Sequence, residues 1–157
     1  MTLAERGVGT PTVSVGELIQ GDRSPIDGDS DISLDEYVDE IVRSGFPGLR
    51  ELEDIVRRAQ LQGYVERVID CDIADVSGRS HRDQHEVDAI IERDDGRVIA
   101  AEVKLSPTVD DHDVRHLRWL GERLGDDLLD AMVITTGRSA YRRPDGIAVV
   151  PAALLGP

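Results

Sequence analysis

The sequence has little of several residue types, and each scarcity excludes a class of protein. Only one of its 157 residues is a cysteine, Cys71, so neither an internal disulfide nor a zinc site built from several thiolates can form. No apolar run approaches the ~20 residues that a membrane-spanning helix needs, and the N-terminus lacks the pattern of a signal peptide. We therefore expect a soluble, cytoplasmic protein that makes no membrane contact.

Aromatic residues and lysine are also scarce. Aromatic residues make up 3% of the chain, so its core must be built from valine, isoleucine, leucine and alanine. Lysine occurs once, at Lys104, among 18 basic residues, and all the others are arginine. The position of this lysine is of interest because an ammonium is a compact donor, whereas a guanidinium is a rigid fork.

Acidic residues are in excess, since 32 of them stand against the 18 basic ones and give a formal net charge of -14. This balance argues against a protein that coats nucleic acid, which needs a basic surface. The excess is uneven, because residues 101–157 carry 7 basic and 9 acidic side chains. In that part Arg138, Arg142 and Arg143 form a basic loop, which is either a solvated loop or a phosphate contact.

Composition and periodicity divide the chain into four parts. Residues 1–33 are rich in glycine, proline and small acidic residues and predict a flexible arm with little to bury. Residues 34–70 predict a helical hairpin, because a capping box precedes apolar residues at helical spacing and a glycine-proline break separates two such segments. Residues 71–85 are polar and irregular and predict a linker before the last part, residues 86–157.

In this last part the apolar periodicity changes from that of helices to that of strands. Two alternating segments flank the turn Asp94-Asp95-Gly96, and an amphipathic helix and two short apolar strands follow. The predicted elements are strands 86–92 and 97–104, helix 109–124, and strands 131–135 and 147–150. We therefore expect an α+β (α/β) fold in which the helical hairpin precedes a ββαββ core.

The turn fixes the register of the predicted β-hairpin. With Gly96 in the left-handed conformation that a three-residue turn requires, Asp88 faces Glu102 on the neighbouring strand. Because side chains alternate across a strand, Lys104 projects from the same face as these two carboxylates. Facing carboxylates are unfavourable unless a proton, a cation or water relieves them, and Mg²⁺ prefers such oxygen ligands.

This arrangement predicts metal-assisted phosphodiester hydrolysis. Asp88 and Glu102 would bind the cation, and Lys104 would orient the attacking water or stabilise the pentavalent phosphate. The alternative is an exposed hairpin face on which Lys104 forms a weak ion pair with Glu86. The opposite face of the hairpin is apolar and should pack against the rest of the protein, with Val87, Ala89, Ile91, Ile99, Ala101 and Val103.

Asp88, followed after a hairpin by Glu102-Val103-Lys104, resembles the PD-(D/E)XK nuclease signature. The wider chain resembles the C-terminal part of bacterial AAA-type ATPases, a region catalogued as a domain of unknown function (number 4143). The stretches that carry this second resemblance are Asp35-Glu36-Tyr37, Gly45-Phe46-Pro47, residues 60–70, His81-Arg82-Asp83, Glu86-Val87-Asp88 and Glu102-Val103-Lys104. The resemblance implies a restriction-endonuclease-like core with Asp88, Glu102 and Lys104 as catalytic residues and Mg²⁺ as cofactor.

The chain departs from those ATPases in two respects. It has no Gly-x-x-x-x-Gly-Lys-Ser/Thr motif, so we expect no nucleotide binding and no ATPase activity. It also has a short linker where the family has a long helical section, so it looks like a truncated family member. Two functions remain open: a nuclease-like domain acting on DNA or RNA, and a noncatalytic remnant that acts as an interaction or regulatory module through self-association or an ATPase relative.

His112 and His116 form a second candidate for metal binding, because histidines four residues apart on a helix can bind zinc. Their neighbours Asp110, Asp111 and Asp113 fit another interpretation, since acidic residues at a helix start interact favourably with the helix dipole.

Overall fold

The computed structural model describes residues 2–23, 25–68 and 86–157, and the predicted linker 71–85 lies outside these ranges. It mixes helices with strands, which confirms the expected α+β class. No helix in these ranges has the length and apolarity to cross a membrane.

The helices are α1 (Val15–Ile19), α2 (Leu34–Arg43), α3 (Pro47–Arg50), α4 (Asp54–Val68) and α5 (Arg115–Leu124). The strands are β1 (Val13–Ser14), β2 (Gly28–Asp29), β3 (Ala89–Glu92), β4 (Val98–Val103), β5 (Leu128–Thr135), β6 (Ser139–Arg142), β7 (Ala148–Pro151) and β8 (Leu155–Gly156).

The chain forms two compact units. The first combines Met1–Tyr37 with His85–Pro157, and the second is Val38–Gln84. The predicted candidate residues all belong to the first unit.

Among the described residues of the first unit, six strands form one mixed sheet in the order β2-β6-β7-β5-β4-β3. β4, β5 and β7 run parallel in its centre, while β3 pairs antiparallel with β4, and β6 with both β7 and β2. Parallel neighbours need a crossover connection, and α5 provides it between β4 and β5. The carboxyl ends of β4 and β5 therefore lie at the same edge of the sheet.

The sheet has an apolar core on each face, because successive residues of β4 point to opposite sides. Ile99 belongs to one core and Ala100 to the other, and both are fully buried. α5 covers the second core with Leu117, and Val114 at its N-cap is buried beside it. The helix thus buries an apolar stripe against the sheet, which fixes the position of its first turn.

The structure differs from the arm predicted for residues 1–33. Val13 and Leu18 are 5% and 4% exposed and pack in the same core as Ile99. β1 pairs in parallel with β8 at the other end of the chain, and β2 pairs with β6. The composition does not reveal this, because the few apolar side chains of the segment are buried by residues far along the chain.

After β3 and β4 the chain continues with α5, β5, β6, β7 and β8, so it has two strands more than the β-β-α-β-β order that we predicted. β6 (Ser139–Arg142) lies between β5 and β7 in sequence, where we predicted a basic loop, and β8 follows the last predicted strand. Both additions are short strands, and each has a partner that is distant in sequence: β2 for β6 and β1 for β8.

The helical region also differs in detail from its prediction. α2 begins at the predicted capping box, where the N–H of Ser33 donates to the Glu36 carboxylate over 2.7 Å and the N–H of Glu36 donates to the Ser33 hydroxyl over 3.3 Å. The short helix α3 lies between α2 and α4. Residues 34–68 therefore contain three helices, whereas a two-helix hairpin was predicted for this region. Within the second unit the Arg50 guanidinium donates two hydrogen bonds to the Glu40 carboxylate, at 2.8 and 3.1 Å.

One prediction about the β-hairpin is wrong on β3. Its apolar face was expected to be packed, but all four residues of β3 are exposed, with Ile91 at 40%. Val87 instead packs against the core beneath α5. β3 lies at the edge of the sheet among the described strands, and none of its residues belongs to either core cluster.

Candidate functional site

The β3–β4 hairpin has the register that its turn predicts. Gly96 has a φ of 83°, and the N–H of Arg93 donates to the carbonyl of Arg97 over 2.8 Å. Ala89 pairs with Ala101, which leaves Asp88 and Glu102 opposite each other at the open end of the hairpin. The structure therefore brings together the two carboxylates that the sequence singled out.

Glu102 is a buried carboxyl group on β4, with a side chain that is 6% exposed. Burial raises the pKa of this group, and a hydrogen bond with Asp88 and the negative charge of Asp88 raise it further. The positive charges of Lys104 and His116 act in the opposite direction. The positive charges near Glu102 therefore do not outweigh the effects of burial and of Asp88, and the charged form of this carboxyl group is disfavoured.

Asp88 is exposed and lies immediately before β3. Its Oδ2 atom accepts a hydrogen bond of 2.7 Å from the N–H of Val103 on β4. This bond attaches the carboxylate to the neighbouring strand, beside the Glu102 side chain. The second carboxylate of the site is thus positioned by backbone as well as by register.

Lys104 follows directly after β4 and is half-buried. Its N–H donates to the carbonyl of Ile134 on β5 over 2.9 Å, so the backbone at this position is held by the parallel neighbour. A lysine that follows a buried glutamate by two residues points from the same side of the strand. The only lysine of the chain therefore stands next to the carboxylate pair.

His116, in the first turn of α5, is a member of the site that sequence reasoning missed in this role. Its Nδ1 atom lies 2.6 Å from the carbonyl oxygen of Glu86 and 3.8 Å from Oε1 of Glu102. The Glu86 N–H also approaches Nδ1, at 3.3 Å. Because a carbonyl oxygen only accepts, we assign the proton to Nδ1 on the basis of the shorter contact. The signal in the sequence was topological: a crossover helix after β4 has its N-terminus near the carboxyl end of that strand.

These groups surround one polar cavity of about 210 Å³. It is lined by Asp88, Glu102, Lys104 and His116 together with Glu86, Asp113 and Arg115. Two carboxylates with room for water satisfy the preference of Mg²⁺, which commonly keeps several waters and takes one or two protein carboxylates. The donor set at Asp88 and Glu102 thus fits a hard divalent cation.

A larger cavity of about 390 Å³ lies beside the C-terminal half of α5 and the start of β5. Three charged residues of its lining have partners within the chain, since Arg118 pairs with Asp145 at 2.6 Å and Asp130 pairs with Arg142 at 2.8 Å. Volume alone is therefore a poor guide to chemistry in this protein. Among the described residues, no arginine forms an ion pair with the carboxylates that line the smaller cavity.

The two histidines of the predicted zinc pair have different partners. Whereas His116 contacts Glu86 and Glu102, both ring nitrogens of His112 lie within 2.8 Å of the Arg115 guanidinium. Asp110, His112 and Asp113 do lie close enough to share a metal ion. However, the Asp110 carboxylate accepts hydrogen bonds from the N–H groups of His112 and Asp113, which is the geometry of a capped turn.

The predicted basic loop forms ion pairs within the chain. Arg138 pairs with Asp31 at 2.6 Å, and Arg142 with Asp130 at 2.8 Å. Arg143 contacts Asp111 at 2.5 Å. Each of these guanidinium groups has a carboxylate partner, which favours the interpretation of a solvated loop over that of a phosphate contact.

Comparison with known proteins gives one result for the C-terminal half. Residues 79–155 match the family model described as Domain of unknown function (DUF4143). This range includes the β3–β4 hairpin, α5 and the strands β5 to β7, so the match covers the whole candidate site. No curated protein and no solved structure matches the chain.

Proposed function

We propose that residues 86–157 form a PD-(D/E)XK nuclease-like domain with a restriction-endonuclease-like core. In this proposal Asp88 and Glu102 bind Mg²⁺, and Lys104 assists the hydrolysis of phosphodiester bonds in DNA or RNA. The observation that supports it most is the buried Glu102 side chain next to a second carboxylate, in a polar cavity that also contains the single lysine. Carboxyl groups with a perturbed pKa in a cleft are candidates for functional sites.

Each residue would have a separate task. The cation, when bound, would supply positive charge at the scissile phosphate and increase the acidity of a water molecule. Asp88 and Glu102 would hold it through oxygens that project from neighbouring strands. The Lys104 ammonium would donate hydrogen bonds to the attacking water or to a phosphate oxygen, whose negative charge grows in the transition state. Hydrolysis consumes one water and leaves a phosphate monoester and a hydroxyl group.

The charge distribution is compatible with a local contact to nucleic acid. The formal net charge of -14 opposes unaided affinity, but the excess lies mainly in the first hundred residues. At the site itself Lys104 and Arg115 line the cavity together with the carboxylates. We therefore expect weak, cation-dependent binding that decreases as the salt concentration rises.

Lys104→Ala is the substitution that tests the proposed chemistry. Cleavage of labelled single-stranded and duplex DNA and RNA is measured with the full chain in Mg²⁺ or Mn²⁺. We expect the cleavage rate to fall by about 10²–10³-fold, as for the loss of one transition-state donor. The Kd for Mn²⁺ should change by less than about threefold, because the two ligands remain.

Arg97→Ala is the matched control, because it removes a cation from the same hairpin at the end that lies away from the cavity. It should leave the cleavage rate unchanged. Absence of metal binding in the wild-type chain, or equal cleavage by the Lys104→Ala and wild-type proteins, would refute the proposal.

A second candidate function is a noncatalytic interaction module, formerly part of an AAA-type ATPase. The observation in its favour is the apolar side of α2, where Leu34, Val38, Ile41 and Val42 are 50%, 44%, 59% and 41% exposed. These residues recur at helical spacing and form an exposed stripe of a kind that often marks protein contacts. Its partner would be a second copy or an ATPase relative. A concentration-independent monomer by light scattering would argue against self-association.

A further inference from the structure

His116 contacts the chain on both sides of the candidate cation site. Its Nδ1 atom donates to the carbonyl of Glu86 over 2.6 Å, and the same atom is 3.8 Å from Oε1 of Glu102. Glu86 precedes Asp88 by two residues. One imidazole nitrogen therefore touches the segment that leads to one proposed ligand and the side chain that forms the other.

We propose that His116 is a positioning residue for the cation: it attaches the segment before Asp88 to α5 and thereby sets the separation of the Asp88 and Glu102 carboxylates. This inference rests on the proposed function, since it concerns the same bound cation. His116 itself is not a ligand in this scheme, and it acts through the two residues that are.

The need for such an attachment follows from where β3 begins. The first backbone pair between the two strands is Ala89 with Ala101, so Asp88 lies just beyond the paired region. The Asp88 side chain is held toward β4 by the N–H of Val103. Its backbone is held by the contact between Glu86 and His116, two residues earlier. The direction of the Asp88 carboxylate thus depends on two contacts, the hydrogen bond from Val103 and the contact between Glu86 and His116.

α5 is a suitable support for this anchor because its start is fixed by packing. Val114 and Leu117, on either side of His116 in sequence, are 0% and 1% exposed. A histidine on a packed helix can hold a flanking segment within the few tenths of an ångström that metal geometry requires. Partners that orient metal ligands typically change metal affinity by about 10–100-fold when they are removed.

Two substitutions separate the position of the N–H group from the bulk of the side chain. In His116→Asn the amide N–H takes the place of Nδ1–H, whereas in His116→Gln it lies farther out, near the position of Nε2. Mn²⁺ binding to the full chain is followed by calorimetry or electron paramagnetic resonance. We expect the Kd to rise by about 10–100-fold in His116→Gln and by less than about threefold in His116→Asn.

His112→Gln is the matched control, because His112 starts the same helical region but contacts Arg115 and lies outside the cavity. It should bind Mn²⁺ as the wild type does. Thermal unfolding in a chelator checks that each variant is folded before titration. Should His116→Gln be too unstable to titrate, His116→Asn decides alone, because a Kd raised more than tenfold there would overturn the inference.

The outcomes distinguish this inference from the proposed function. A wild-type chain that binds no Mn²⁺ refutes the proposed function itself. A wild-type chain that binds Mn²⁺ with the same Kd as His116→Gln overturns only the role of His116. Loss of binding in His112→Gln with retention in His116→Gln also overturns it, because the cation would then bind at the cluster of Asp110, His112 and Asp113.

Discussion

Glu102 and Asp130 are buried carboxyl groups on neighbouring parallel strands, and they differ in the charge of their nearest partner. Asp130 is 2% exposed and accepts two hydrogen bonds from the Arg142 guanidinium, at 2.8 and 2.9 Å. Glu102 is 5% exposed and has another carboxylate, Asp88, as its neighbour. The first is a closed ion pair and the second lines an open cavity. Burial of an acid is therefore not informative by itself, and what distinguishes the two groups is whether the protein supplies the compensating charge.

The largest expected effect comes from opening the closed pair. Arg142→Ala leaves Asp130 buried without its partner, and we expect a loss of about 3–5 kcal/mol in the free energy of unfolding. Urea denaturation measures this loss. Arg138→Ala removes an exposed pair with Asp31 and should cost less than about 1 kcal/mol. Similar losses in the two variants would contradict the distinction between a buried and a surface pair.

The next effect concerns the open site. Mn²⁺ at ten times its Kd should raise the free energy of unfolding of the wild-type chain by about 1.4 kcal/mol, because the cation binds only the folded state. In Glu102→Gln this increase should disappear, since one of two ligands is lost. Glu92→Gln, an equal change of charge on exposed β3, should retain it. A metal-induced increase that persists in Glu102→Gln would place the cation elsewhere.

The smallest effect is the stability of the metal-free protein and its pH dependence. Glu102→Gln should stabilise it at neutral pH by up to about 1 kcal/mol, because the substitution removes the charge that faces Asp88. The pKa of Glu102 is raised by burial first and by Asp88 second, so the folded state holds a proton that the unfolded state has already released. The contribution of Glu102 to stability is thus present at low pH. It decreases as the pH rises from the ordinary carboxyl range through the raised pKa.

The measurement for this prediction is the difference in unfolding free energy between wild type and Glu102→Gln across a pH series. The subtraction removes the opposite trend of Asp111 and Asp145. Their pKa values are lowered, so their contributions to the stability of the protein decrease on acidification. We expect the stability of the variant relative to wild type to increase as the pH rises. If it does not, the negative charge of Glu102 is already compensated by a positive partner, as that of Asp130 is by Arg142.

The β3–β4 hairpin was the most predictable part of the molecule. Its register follows from local features, a turn with Gly96 and alternating side chains on both sides, so the opposition of Asp88 and Glu102 could be derived from the sequence. The exposure of the side chains of β3 could not, because it depends on whether another part of the chain packs on the face of this strand. Alternation predicts which residues share a face, but not whether that face is covered.

The remaining differences have a common physical cause. His116, Val13 and β6 obtain their roles from partners that are distant in the chain: Glu86 for His116, the core around Ile99 for Val13, and β2 for β6. None of these partners leaves a periodic signal in the local sequence. The closed pair of Asp130 and Arg142 was missed for the same reason, since sequence reasoning grouped Arg142 with its neighbours in a loop.

The parallel pairing of β1 with β8 has a consequence for the order in which the protein folds. Its closing contacts include Val13 with Leu155, and the hydroxyl of Ser14 donates to the carbonyl of Pro157, 143 positions away in sequence. Contacts of such long range require the closure of a large loop before they contribute any stability, whereas the β3–β4 hairpin closes over a three-residue turn. The hairpin that carries the two proposed ligands is therefore expected to form early, and the contact between the first strand and the last is expected to complete the fold.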